Sequence, residues 1–181
     1  MRIVPTQLAD AVIIEPVVHG DDRGFFLESW NAAAFAEAGI DTPFVQDNHS
    51  RSARGVLRGL HFQDSGPQGK LVRVVAGAVF DVAVDLRRSS PTFGRWTGVE
   101  LSARNKRMFW VPRGFAHGFL TLEDDTDFLY KCDAPYAPGA EQTLAWDDPD
   151  LAIAWPLTGM DLKLSEKDRN GTLLASTRGF A

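Results

Sequence analysis

The chain has 181 residues, 44% of them hydrophobic and 24% charged, and carries a net charge of −5. That length and composition exclude a disordered or fibrous chain, because a single core can already bury roughly 70% of the unfolded surface. The acidic balance and the lack of a Lys/Arg run argue against a nucleic-acid partner, and no apolar stretch is long enough to cross a bilayer.

The opening MRIVPTQLAD lacks the basic-then-apolar pattern of a signal peptide, and Cys132 is the only cysteine, so a reducing, cytoplasmic setting without internal disulfides is expected. Residues 1–30 hold two extended runs, Val12–Val18 and Phe25–Trp30, separated by the turn-like His19-Gly20-Asp21-Asp22. One helix is expected over Ala32–Ala38, with Asn31 as N-cap and Gly39 as its stop. Phe44–His49, Val56–Gln63, Lys70–Ala76 and Ala78–Leu86 then read as strands, and the Ala76-Gly77 step as a tight hairpin. Within the last of these, Phe80, Val82, Val84 and Leu86 share one face while Asp81 and Asp85 occupy the other. Gly98–Leu101, Met108–Val111, Phe115–Leu122 and Asp127–Cys132 continue the strand rhythm, and residues 157–181 lose it, as expected of turns or short helix wrapped over a barrel. The pattern implies one all-β domain, residues 1–181.

Chemistry can reside in few places. Pleating of Val56–Gln63 puts Leu57, Gly59, His61 and Gln63 on one face and Arg58 on the other, and a bulge at Gly59 would bring Arg58 round to His61. His61 by itself fits a functional or a structural histidine equally well. Gln46-Asp47-Asn48-His49 is a polar cluster suited to a ligand or to a side-chain-stabilised turn. His117 follows a Pro-x-Gly turn, spaced like the metal-binding histidine of a cupin second motif. The earlier strand offers only His61 followed by Phe62-Gln63 instead of His-x-His, so no metal site is expected. Tyr130 reads as strand packing or as a proton donor, and Cys132 as a packed strand thiol.

These stretches, with Gly20–Phe26, Phe44–Ser50, Gly69–Arg73, Ser90–Gly94, Pro112–Phe119, Tyr130-Lys131, Trp146–Pro149 and Leu164–Asp168, resemble in order and over almost the whole chain the dTDP-4-dehydrorhamnose 3,5-epimerase family. The resemblance implies a cupin-like double-stranded β-helix, or jelly-roll, barrel with a few short peripheral helices. It implies inversion of C3 and C5 of dTDP-4-keto-6-deoxy-D-glucose, giving dTDP-4-keto-L-rhamnose, by proton removal and return, with no cofactor. Under it His61 is the base, Asp168 its orienting carboxylate, Tyr130 the proton donor on the opposite face and Lys70 the partner of the enolate oxygen. Gln46, Asn48, Arg58, His117, Glu141 and Lys167 become substrate-binding residues. Arg23 is a further substrate-binding residue, and Phe25 and Glu28, also substrate-binding, reach the nucleotide of a neighbouring subunit through an exchanged amino-terminal strand, which makes a homodimer the expected assembly. Ala134-Pro135-Tyr136 departs from the family's paired tyrosines and is expected to cost the ligand an aromatic contact. A mono-epimerase acting at C5 or C3, a cupin metal enzyme and a non-catalytic carbohydrate-binding barrel are the competing readings.

Overall fold

The computed structural model describes all 181 residues. Thirteen strands run in the order β1 (Arg2–Pro5), β2 (Val12–Glu15), β3 (Val18–Asp21), β4 (Gly24–Leu27), β5 (Gln46–Ser52), β6 (Leu57–Gln63), β7 (Lys70–Ala76), β8 (Ala78–Asp85), β9 (Trp96–Ser102), β10 (Met108–Val111), β11 (Phe115–Thr121), β12 (Thr126–Cys132) and β13 (Glu141–Thr143). Two short helices, α1 (Ala32–Glu37) and α2 (Glu166–Arg169), lie outside the barrel framework. A six-stranded sheet ordered β1-β2-β10-β7-β12-β5 faces a five-stranded sheet ordered β13-β6-β11-β8-β9, and β3-β4 forms a separate hairpin. This is the jelly-roll barrel that the resemblance implies.

Side-chain period explains the layering. Val72, Val74, Phe109, Val111 and Phe128 from one sheet meet Val79, Ala83, Val99, Leu101, Phe115 and Phe119 from the other in the barrel interior. Phe119 and Phe128 stack with ring centroids 4.1 Å apart, closing the interior below the polar end. The alternate residues of β8, Val82 and Val84, pack outward with Leu60 and Leu86 beneath Leu144, Leu151, Trp155 and Phe180. β8 is therefore buried on both faces, and its two-sided apolar pattern follows from that. On the far side, Ile14, Leu71 and Met108 are covered by Phe35 of α1 and by Ile40.

Asn31 caps α1 by accepting a hydrogen bond from the amide of Ala34, as expected. The Ala76-Gly77 hairpin does not form. β7 and β8 belong to different sheets, and Gly77, at φ +71°, turns the chain from one to the other. The groups flanking that corner bond elsewhere: the Gly77 carbonyl accepts from Ala103, and Ala78 donates to Thr126 Oγ1. A tight hairpin and a barrel corner use the same left-handed glycine, and only the partners distinguish them. Val12–Val18 is also divided, since β2 ends at Glu15 and β3 begins at Val18 after Pro16. β1 and β13 are strands that sequence period does not reveal; both are short.

The bulge at Gly59 is present. His61 pairs with His117 and Arg58 with Phe119, so three steps on β6 oppose two on β11. Gly59 has φ +132°, and a Cβ there would lie 2.6 Å from the Cα of Gly118. We expect Gly59→Ala to destabilise the fold by about 1–3 kcal/mol through strain and backbone displacement, measured by urea denaturation.

Candidate active site

The open end of the barrel holds a cavity of about 400 Å³. Its walls come from both sheets and from the segment that follows them: Gln46 and Asn48 on β5, Arg58 and His61 on β6, Lys70 on β7, His117 on β11, Tyr130 on β12, Glu141 on β13, and Lys167 and Asp168 on α2. Ten of the residues implied by the resemblance thus line one space, although they span more than a hundred positions of chain. The pleat of β5 sorts its polar cluster. Gln46, Asn48 and Ser50 enter the cavity, whereas His49 turns outward and meets Asp127 at 3.0 Å.

His61 Nε2 lies 2.6 Å from Asp168 Oδ1, leaving Nδ1 without a protein partner. Asp168 is 4% exposed and collects two more donors, the hydroxyl of Ser165 at 2.6 Å and the amide of Gly59 at 3.3 Å. Ser165 also caps α2 by accepting from the Asp168 amide, so one side chain fixes both the turn and the carboxylate. Burial alone would lift the Asp168 carboxyl. The hydrogen bonds from His61 and Ser165 outweigh it and hold the group at about 2.

Across the cavity, neither the Lys70 ammonium nor the Tyr130 hydroxyl bonds to another residue, and both are free for a ligand. Burial pushes the Lys70 ammonium below its ordinary value, opposed by Cys132, Glu141 and Asp81. Burial also raises the Tyr130 phenol, helped by Cys132 and Glu141, so it keeps its proton at neutral pH. Burial of Glu141 is outweighed by Lys167, 3.0 Å away, and by the hydroxyl of Tyr136, which hold its carboxyl below the usual range. Asn48 donates to Cys132 Sγ, and burial lifts that thiol to about 11, which suits packing rather than nucleophilic chemistry.

Three residues implied for binding lie elsewhere. Arg23 and Phe25 are exposed on the β3-β4 hairpin, where Arg23 pairs with Asp21 and the Phe25 ring sits 4.4 Å from Lys106 Nζ; Glu28 is exposed just beyond it. Gln63 is structural, donating to Gly66 and Pro135 carbonyls and accepting from the Ala137 amide. Of Ala134-Pro135-Tyr136 only Tyr136 lines the cavity, at the rim and in hydrogen-bonding contact with Glu141, and Pro135 brings no ring to it. His117, spaced like a cupin ligand, bonds to the buried Asp81 instead, and no three His, Cys, Asp or Glu side chains are grouped to hold a metal ion.

Ser50, Gln68 and Ser165 also line the cavity and were not singled out in the sequence. Ser50 shares the period of Gln46 and Asn48, and Ser165-x-x-Asp168 is a capping pattern, so both carried a legible signal.

The model of the family described as dTDP-4-dehydrorhamnose 3,5-epimerase matches residues 5–176. A relative so named from Pseudomonas aeruginosa is 57% identical over 181 residues, covering 99% of each chain. One from Methanothermobacter thermautotrophicus is 57% identical over 170 residues, 93% of this chain and 92% of its own. Among solved structures, dTDP-6-deoxy-D-glucose-3,5-epimerase from Legionella pneumophila, in complex with dTDP-4-keto-L-rhamnose, superposes with a TM-score of 0.94 at 55% identity, covering 97% of this chain and 93% of that one.

The depressed Asp168 carboxyl has a pH consequence. Its folded value lies below the unfolded value of about 3.9, so its stabilisation is complete above about pH 4 and is lost as pH falls toward 2. Ser165→Ala removes one donor and should move the acid limb of thermal stability to higher pH, read from melting temperatures between about pH 5 and 2.

Proposed function

The chain belongs to the dTDP-4-dehydrorhamnose 3,5-epimerase family, and from that membership and the cavity's geometry we propose the following course for its reaction. The protein is an epimerase that inverts C3 and C5 of dTDP-4-keto-6-deoxy-D-glucose, giving dTDP-4-keto-L-rhamnose. The observation that carries the residue assignment is the 2.6 Å His61–Asp168 contact in the same cavity as Tyr130 and Lys70.

Both reacting carbons are α to the C4 ketone. When His61 takes the proton from C5 or C3, the C–H electron pair becomes the enolate π bond and negative charge gathers on O4. The Asp168 carboxylate accepts from Nε2, keeps Nδ1 as the free base, and stabilises the imidazolium that forms. The Lys70 ammonium, unpartnered in a water-poor barrel, is the cation for O4; such an interaction strengthens as charge develops. Tyr130 delivers a proton to the opposite face, which inverts the centre. Its raised pKa suits a group that must arrive protonated.

Gln46, Asn48, Arg58, His117, Glu141 and Lys167 hold the sugar and the diphosphate, with Arg58 and Lys167 supplying positive charge. The β3-β4 hairpin, with Phe25 63% and Phe26 70% exposed, offers Arg23 and Phe25, and Glu28 just beyond it, to the nucleotide site of a second copy. The active species is accordingly a homodimer, and the enzyme works in the cytoplasm, where nucleotide sugars are made. No helix is long and apolar enough to cross a membrane.

In D2O, the protein should place solvent deuterium at both C3 and C5 of dTDP-4-keto-6-deoxy-D-glucose, read by NMR and mass spectrometry. Deuterium at one carbon would mean a mono-epimerase, and none would refute the assignment. His61→Ala should lower the exchange rate by about 10³-fold or more. Sedimentation equilibrium should return twice the chain mass, and Phe25→Ala with Arg23→Ala should raise KM more than it lowers kcat.

A further inference from the structure

Gln63 closes β6 two residues beyond His61, is 4% exposed, and takes no part in the steps above. Both ends of its amide are nevertheless engaged. Its oxygen accepts from the Ala137 amide at 2.8 Å, and its nitrogen donates to the carbonyls of Gly66 at 2.7 Å and Pro135 at 3.4 Å. Two further glutamines reach the same stretch of chain. Gln46 Oε1 on β5 accepts from the Tyr136 amide at 2.8 Å, and Gln68 Nε2, just before β7, donates to the Ala134 carbonyl at 2.7 Å. Residues 134–137, which link β12 to the turn Pro138–Ala140, therefore have a side-chain partner on each residue in succession.

The residue type follows from the chain it serves. Pro135 has no N–H and cannot extend a ladder, so the backbone groups around it need partners from elsewhere. A backbone N–H only donates and a carbonyl only accepts, so these bonds also fix which end of each glutamine amide points where. At position 63 both functions are required at once. A carboxylate lacks the N–H that Gly66 and Pro135 need, and an ammonium lacks the acceptor that Ala137 needs.

What this loop carries is Tyr136, whose ring stands at the cavity rim, 49% exposed. Its hydroxyl donates to Glu141 at 3.0 Å, and Glu141 meets Lys167 at 3.0 Å. With its amide on Gln46 and its hydroxyl on Glu141, the residue is tied at both ends before any ligand arrives. His61, Asp168, Lys70 and Tyr130 make none of these bonds. Resting on the nucleotide-sugar reading above, we propose that Gln63 is a positioning residue: with Gln46 and Gln68 it presets residues 134–137 at the cavity mouth, so that Tyr136 meets the nucleotide end of the substrate already in place. A loop that must be ordered on binding weakens affinity by the freedom it loses, and a loop ordered beforehand does not. Gln63 thus acts on binding and leaves proton transfer alone.

Two measurements test this. In the ligand-free wild type the Tyr136 and Ala137 amides should exchange with solvent at least about ten-fold more slowly than in an unstructured chain, and dTDP should slow them further by less than about three-fold. Gln63→Leu should release the Ala137 amide, weaken dTDP binding by about ten-fold in calorimetry and raise KM to match, with kcat changed by less than about two-fold. In a Tyr136→Ala background the same substitution should weaken dTDP by less than about two-fold, because the loop then has no ring to present. Amides protected only once dTDP is bound, a folded Gln63→Leu protein with undiminished dTDP affinity, a loss in kcat in place of affinity, or equal losses in the two backgrounds each overturn the proposal. If Gln63→Leu does not fold, the wild-type amides decide. A wild type that binds no dTDP would refute the nucleotide-sugar reading instead, a result distinct from dTDP binding that Gln63→Leu leaves intact.

Discussion

A carboxylate taken out of water must be met by donors, and the placing of Asp168 shows how much of the molecule that requirement organises. Its three partners come from a β6 side chain, the amide of a bulged glycine and the cap of α2. To satisfy it, the segment after the barrel has to fold back over the open end, Gly59 has to leave the regular ladder, and the His61 ring has to adopt one orientation. The base is therefore aimed by the same bonds that close the fold. Removing any donor leaves the buried charge partly unpaired, which costs more than the bond itself contributes.

The barrel divides its interior by chemistry. The stacked Phe119 and Phe128 separate an apolar half, where the two sheets interdigitate, from a polar half whose side chains come from almost every strand. Acidic side chains in the polar half are each met by a partner: Asp168 by His61, Asp81 by His117, Glu141 by Lys167. The Lys70 ammonium and the Arg58 guanidinium have no carboxylate partner there, and the Tyr130 hydroxyl has no hydrogen bond. Polar atoms left without protein partners in such a cavity are matched to a ligand.

Period-2 alternation made the strands and their faces legible, and Phe80, Val82, Val84 and Leu86 do share a surface. Gly59 was readable as a bulge because a glycine between alternating residues has few other uses. Gly77 was misread because local sequence specifies a left-handed turn but not the strands that flank it in space; those are set by pairings with β9 and β12, distant in the chain. The pocket residues were legible mainly through family likeness, since a contact between residues 61 and 168 leaves no trace in local pattern. Asp81 shows the gap most clearly. It read as one of two acids on a strand face, and only the β8-β11 register puts it behind His117.

The order of the chain adds a consequence for biosynthesis. All thirteen strands lie before residue 144, so both sheets can assemble while α2 is still being made. At that stage His61 has a barrel around it but no carboxylate behind it, and the outer face of β8 lacks Leu151, Trp155 and Phe180. Completion of the catalytic dyad and concealment of that apolar face are then one late event. A nascent or trimmed chain that has not reached it stays both sticky and inert, which ties quality control of the fold to the onset of proton transfer.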